Sequence, residues 1–87
     1  MTVYENKLIN RIERQYNRVS ADHIAKADEI IEHVNELMKT NAGRAKCLRY
    51  RTMIDLVKMI QNNNRQDLVE NGVQVGQILR MTERYLS

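Results

Sequence analysis

The chain has 87 residues, with 14 Lys and Arg against 11 Asp and Glu, for a formal net charge of +3. That length predicts a single domain over residues 1–87 with a small hydrophobic core, and it excludes a second domain. The sequence has no Pro, Trp or Phe and only three Gly, a composition that favours helices throughout. No apolar run approaches the roughly 18 residues of a membrane span, so we expect a cytoplasmic protein without a membrane partner.

The first predicted helix begins at Thr2, whose spacing to Glu5 is that of a capping box, and runs to about Arg18. Its basic residues lie on one stripe opposite its apolar arc: Lys7, Arg11, Arg14 and Arg18. Cations in series repel one another unless an anion meets them. The stripe therefore predicts contact with a phosphate backbone or an acidic protein surface, and a solvated helix face is the alternative.

The second predicted helix is the most clearly amphipathic stretch, and it carries most of the acidic residues. It begins with Ser20 as its N-cap and ends near Thr40. Apolar residues recur along it at spacings of three and four: Ile24, Ala27, Ile31, Val34 and Met38. The run from Asn41 to Gly43 predicts a tight connection, which would make the next helix an antiparallel neighbour.

A third helix is predicted from Arg44 to about Gln61, and its first two turns hold a basic cluster of Arg44, Lys46, Arg49 and Arg51. Cations at a helix N-terminus oppose the helix dipole at about 0.3 to 1 kcal/mol each. Two interactions could offset this cost. Either Glu32 and Glu36 of the preceding helix pair with the cluster, or the cluster binds an anion such as a nucleic-acid phosphate.

After the polar run Gln61 to Asn64, the apolar spacing fits one helix to residue 87, but Gly72 argues for a break into two. Five residues here resemble a DNA-binding helix-turn-helix in their offsets: Leu68, Gly72, Val73, Val75 and Ile78. The resemblance covers only about 20 residues. It implies that Gln74, Gln77 and Arg80 face base edges. A plain packing helix is the alternative interpretation.

Three residues depart from the helix-turn-helix pattern, and the first is Leu68, which is larger than the Ala expected at its position. Asp67 and Asn71 stand at positions where the motif buries apolar side chains.

Motifs typical of catalytic, metal-binding or phosphate-binding sites are missing from the sequence. His23 and His33 have no third ligand near them, and no catalytic triad or phosphate-binding glycine loop occurs. We therefore predict no enzyme activity, no metal and no cofactor.

These observations predict an all-α protein, a small antiparallel helical bundle of three to four helices. We expect a homodimer that buries Ile30, Leu37, Leu48 and Met59. The predicted function is a non-enzymatic regulatory protein that binds DNA or RNA through salt-dependent phosphate contacts of its basic helix faces. The alternative is a compact adaptor or inhibitor, similar in size to those of phages, that docks on a larger protein partner.

Overall fold

The computed structural model describes residues 17–87. They contain five helices and no strand: α1 (Ala21–Leu37), α2 (Asn41–Arg49), α3 (Arg51–Gln61), α4 (Arg65–Glu70) and α5 (Val75–Leu86). The all-α helical bundle is thereby confirmed for the described part of the chain. The part of the first predicted helix that ends at Tyr16 lies outside the described residues. The helix does not reach Arg18 as predicted, because Asn17 forms a turn and the chain from Arg18 to Ser20 is irregular.

Helix α1 begins as the sequence predicts. The Ser20 hydroxyl accepts a hydrogen bond from the His23 main-chain N–H at 3.2 Å, and the Ser20 N–H donates to His23 Nδ1 at 3.1 Å. This reciprocal pair is a capping box with His in the position where Glu or Gln is usual. The local sequence therefore determines where α1 starts.

The connection after α1 differs from the prediction. Asn41 to Gly43 form the first turn of α2 and not a loop, because the Thr40 hydroxyl caps that helix by accepting from the Gly43 N–H at 3.0 Å. The true connection is three residues long, from Met38 to Thr40. A Cβ atom at Gly43 would lie 1.8 Å from the Leu37 carbonyl oxygen. Only glycine fits where α2 crosses the end of α1 so closely.

The helix predicted from Arg44 to Gln61 is two helices, because it breaks at Tyr50, whose φ of −107° and ψ of 26° are not helical. The Tyr50 ring stacks on Tyr85 of α5, with centroids 5.4 Å apart and an angle of 24° between the planes. This contact joins residues 35 positions apart in the sequence, so helical periodicity cannot show it. The bend at Tyr50 lets α2 and α3 follow different directions.

The core lies between α1, α3 and α5. Helices α1 and α3 are antiparallel, since Gln61 at the end of α3 donates to Asp28 in the middle of α1 at 2.8 Å, whereas Arg51 at the start of α3 lines the same groove as Met38 after the end of α1. Helix α5 runs parallel to α1. Its first turn is next to His23, and its last residue, Leu86, accepts at 2.8 Å from Nε2 of His33. Most of the fully buried side chains come from α3, α4 and α5: Val57, Ile60, Leu68, Val75, Thr82 and Leu86.

The residues expected at a homodimer interface occupy different environments. Ile30 lies in the core with 4% of its surface exposed, and Leu37 and Met59 are half-buried against that core. The premise that these three lie outside one small bundle is wrong, because Ile30 lies beside Leu86 of α5 and the other two pack against the core of the same chain. Leu48 alone of the four is well exposed, at 71%.

Candidate nucleic-acid interface

Helices α4 and α5 are separate helices joined by a four-residue turn, Asn71 to Gln74. Gly72 has a φ of +61°, which is the left-handed conformation that glycine adopts without strain. Its N–H donates to the Val69 carbonyl at 3.1 Å, and the Val73 N–H donates to the Leu68 carbonyl at 2.9 Å. These two bonds form a Schellman motif, which ends α4 and turns the chain into α5.

The apolar positions of this unit are buried as the helix-turn-helix resemblance implies. Leu68, Val73, Val75 and Leu79 are each exposed by 3% or less, and Ile78 is half-buried against them. Burying one face of both helices leaves the opposite face of α5 in solvent. The unit is therefore a short helix, a glycine turn and a second helix, with the apolar positions on which the resemblance rests buried.

Asp67 and Asn71, which depart from the motif, support the ends of α4: Asp67 binds the N-cap residue Asn64, and Asn71 is the C-cap. The Asn64 side chain caps α4 by accepting from the Asp67 N–H, and its amide donates to the Asp67 carboxylate at 2.6 Å. At the other end of α4, the Asn71 side-chain amide donates to the Asp67 carbonyl at 2.7 Å. Asp67 and Asn71 are thus polar because they hold the ends of a short helix, where side-chain oxygens and amides satisfy free main-chain groups.

The outer face of α5 carries amides and cations. Gln77, Arg80 and Arg84 are exposed on it, and the exposed Gln74 occupies the N-cap position without a side-chain capping bond. The acidic residue of α5, Glu83, lies to one side of this face and accepts from Lys26 of α1 at 3.0 Å. Within the described part of the chain, the outer face therefore presents no carboxylate of α5 to an incoming phosphate.

Lys26 holds this acidic residue in place. Its hydrogen bonds to Glu83 first and to Glu29 second raise the pKa of the Lys26 ammonium above its ordinary value. Both carboxylates attract the positive charge, which favours the protonated lysine. The Glu83 charge is thus compensated by α1, away from the outer face of α5.

The predicted basic stripe contributes one described residue, Arg18, and it lies near the turn between α4 and α5. The Asn17 side-chain amide donates to the Val73 carbonyl, and Asn17 is buried while Arg18 beside it is exposed. Neighbouring Cα atoms are only about 3.8 Å apart. Arg18 is therefore placed at the N-terminal end of α5. The other three residues of the stripe, Lys7, Arg11 and Arg14, lie outside the described residues.

Two members of the predicted cluster cap helix C-termini. Arg44 donates to the Met38 carbonyl at the end of α1 at 3.0 Å, and Lys46 donates to the Ser87 carbonyl after α5 at 3.0 Å. Cations are favourable there because helix C-termini carry free carbonyls and a partial negative charge. Sequence analysis missed this role, because the accepting carbonyls belong to other helices.

The remaining cluster residues are exposed. Arg51 lies 3.9 Å from Asp55, and Arg49 is exposed in the last turn of α2. Among the described residues, the expected pairing of Glu32 and Glu36 with this cluster is not found. Glu36 instead binds Lys39 at 2.9 Å.

The predicted basic residues do not form one patch. Lys46 contacts Ser87 and therefore lies at the C-terminal end of α5, whereas Arg18 lies near the N-terminal end, and Arg44 and Arg51 lie beside α1 and α3. A helix of 12 residues is about 18 Å long. Cations thus flank the outer face of α5 at both ends.

No group of three His, Cys, Asp or Glu side chains between residues 17 and 87 is arranged to hold a metal ion. None of the helices in that range has the length and apolar character needed to cross a membrane.

Comparison of the chain with protein-family models, curated proteins and solved structures found no match.

Proposed function

We propose that the protein is a non-enzymatic regulator that binds duplex DNA through α4, the glycine turn and α5. One observation carries the proposal: α4, the glycine turn and α5 follow one another with their apolar positions buried, and Gln74, Gln77 and Arg80 are exposed at the start of α5 without a carboxylate of that helix among them. In helix-turn-helix proteins, residues near the start of the second helix contact base edges in the major groove. Gln74 is the N-cap of α5, and Gln77 and Arg80 lie in its first two turns.

The side-chain chemistry of this face suits base recognition. Glutamine forms two hydrogen bonds with adenine, and arginine forms two with guanine, when either base edge is approached from the major groove. The cations near the two ends of α5 would meet the phosphates on either side of that groove, with Arg18 near one end and Lys46 near the other. Lys7, Arg11 and Arg14 remain part of the proposal as further phosphate contacts. Binding would release counterions, so affinity would depend steeply on salt.

Fluorescence anisotropy tests the proposal. The full chain is titrated against a labelled DNA duplex of mixed sequence and against single-stranded RNA of equal length, at about 50 mM and about 200 mM salt. We expect the duplex to bind at the lower salt concentration and to be released as salt increases. Failure of both probes to bind at low salt would exclude the proposal, and binding of RNA alone would exclude duplex DNA as the ligand.

A charge-matched pair of variants locates the interface. Arg80→Ala with Arg84→Ala removes two exposed cations from the outer face of α5, and Lys39→Ala with Lys58→Ala removes two exposed cations elsewhere. We expect the first double variant to weaken duplex binding by about tenfold or more, and the second by much less. Equal losses would show that only net charge matters, and α5 would not be the interface.

Docking on a larger protein is a second candidate function, because Leu48 is 71% exposed on the described surface. When a large exposed apolar side chain adjoins other apolar side chains, the patch that they form is typical of a protein-binding surface. The anisotropy experiment separates the two functions. If neither nucleic acid binds at low salt, protein docking is the function that remains.

A further inference from the structure

A groove of about 510 Å³ lies where α1, α2 and α3 meet, and none of its lining residues comes from α5. Two of its walls have matching geometry, since each is a helical stripe with the spacing i, i+3, i+4, i+7. The first wall is formed by Ile31, Val34, Asn35 and Met38, and the second by Arg51, Ile54, Asp55 and Lys58. Such a stripe spans two helical turns, or about 10 Å.

The floor of the groove is apolar. Val34, Cys47 and Ile54 are buried there, with 6% or less of each exposed. Two large apolar side chains line the groove above them in solvent, Leu48 at 71% exposure and Met38 at 44%. An apolar floor with adjoining exposed apolar side chains provides anchoring sites for the apolar residues of a partner.

The rim of the groove is basic, with Arg44, Arg51 and Lys58 against the single acid Asp55. The Asp55 carboxylate lies 3.9 Å from Arg51, and both side chains are at least half exposed. An ion pair of this kind contributes at most about 1 kcal/mol, so another carboxylate can replace it. Arg44 uses two of its nitrogens for Met38 and Asn41, but a guanidinium has five N–H donors. The rim can therefore bind carboxylates.

We propose that this groove binds a short amphipathic helix of two to three turns from an acidic protein partner. The partner's apolar side chains would fill the floor beside Leu48, and its Asp or Glu side chains would meet Arg51 and Lys58. The proposal deepens the second candidate function by naming the chemistry of the partner. It is independent of DNA binding, because the groove and the outer face of α5 share no residue.

The structure disfavours other occupants. A second copy would have to offer an acidic helix with free apolar residues, but the acidic α1 has Ala27, Ile30 and Val34 buried in its own core. Nucleic acid suits the basic rim but not the apolar floor. An acidic amphipathic helix satisfies both parts of the groove.

The test uses a labelled peptide with Leu at the i, i+3, i+4 and i+7 positions and Glu at most others. A second peptide of the same composition has its order scrambled so that the apolar face is lost. We expect the full chain to bind the amphipathic peptide, and chemical shifts of Ile31 and Met38 to move in NMR spectra. No binding, or equal binding of the scrambled peptide, would overturn the proposal.

Variants of the protein complete the test. Leu48→Asp changes an exposed side chain and should reduce peptide affinity by about tenfold or more. Val69→Asp is the matched control, since Val69 is also exposed, at 44%, but does not line the groove. We expect this control to bind as the wild type does. If light scattering shows that the wild type is a dimer and that Leu48→Asp is a monomer, the groove binds a second copy of the chain. That result would overturn the proposal of an acidic partner.

Discussion

The side-chain amide of Asn17 donates a hydrogen bond to the main-chain carbonyl oxygen of Val73, 56 residues further along the chain. The contact is buried, and it joins the segment before α1 to the turn between α4 and α5. A buried polar side chain needs such a partner, because an unpaired amide inside a protein is costly. The bond therefore couples the position of Arg18 to the proposed DNA-binding unit.

Asn17→Ala should destabilise the fold by about 1 to 3 kcal/mol, because the Val73 carbonyl loses its buried donor. Asn17→Asp should destabilise it at least as much, since a carboxylate would face that carbonyl. Urea unfolding followed by circular dichroism measures both changes. The neighbouring variant Arg18→Ala is the control and should stay within about 0.5 kcal/mol of the wild type, because Arg18 is exposed. Wild-type stability of Asn17→Ala would show that the bond contributes nothing.

Asn63 and Gly72 both have a left-handed backbone conformation, so alanine should destabilise the protein at either position, whereas glycine should be tolerated at both. Gly72 has a φ of +61° with open space around it, so Gly72→Ala should cost about 1 to 2 kcal/mol through backbone strain alone. Asn63, with a φ of 51°, should tolerate Asn63→Gly without loss, whereas Asn63→Ala should destabilise the protein. Thermal melts of the three variants check these changes. A neutral Gly72→Ala would exclude strain at the turn.

Gly43→Ala should be far more damaging than Gly76→Ala. At Gly43 the new Cβ would lie 1.8 Å from the main chain of Leu37, which cannot move without separating α1 from α2. We expect a loss of at least about 3 kcal/mol, or failure to fold. At Gly76 the nearest atom is Nη1 of Arg80, 3.3 Å away at the end of a flexible side chain.

Gly76→Ala should therefore be neutral, or stabilising by up to about 1 kcal/mol through helix propensity. Expression level and denaturant midpoints measure the contrast between the two variants. Similar behaviour of both would mean that the close approach of α1 and α2 is not rigid.

The Lys26 contacts predict a loss of stability at alkaline pH. Hydrogen bonds to Glu83 and then Glu29 raise the pKa of Lys26 in the folded state. Its contribution to stability is therefore complete below the ordinary lysine pKa, and it is lost as pH rises through the raised value. Glu83→Gln should shift the Lys26 titration in NMR spectra to lower pH.

Glu70→Gln is the control for this shift, because Glu70 accepts from Gln66 of its own helix and does not contact Lys26. It should leave the Lys26 titration where it is. An unchanged Lys26 titration in Glu83→Gln would show that Glu83 does not stabilise the ammonium.

Local features of the sequence predicted the helical class and several helix ends. The start of α1 at Ser20 depends on groups three residues apart, so it is visible in the sequence. The break at Gly72 was visible too, because a glycine inside an apolar repeat is typical of a turn. These features rest on contacts between near neighbours, which the order of residues specifies directly.

Only the tertiary structure decided which charged groups meet. Sequence spacing suggested that Lys46, Arg49 or Arg51 pairs with the acids of the preceding helix, but Lys46 donates to Ser87 after α5 and Arg51 lies beside Asp55 of its own helix. The bend at Tyr50 likewise accompanies a stack with Tyr85. Helical periodicity predicts which side chains share a face of one helix. The packing of helices that are far apart in sequence decides which helix end lies beside which cation. That packing depends on the whole core, and no local pattern contains it.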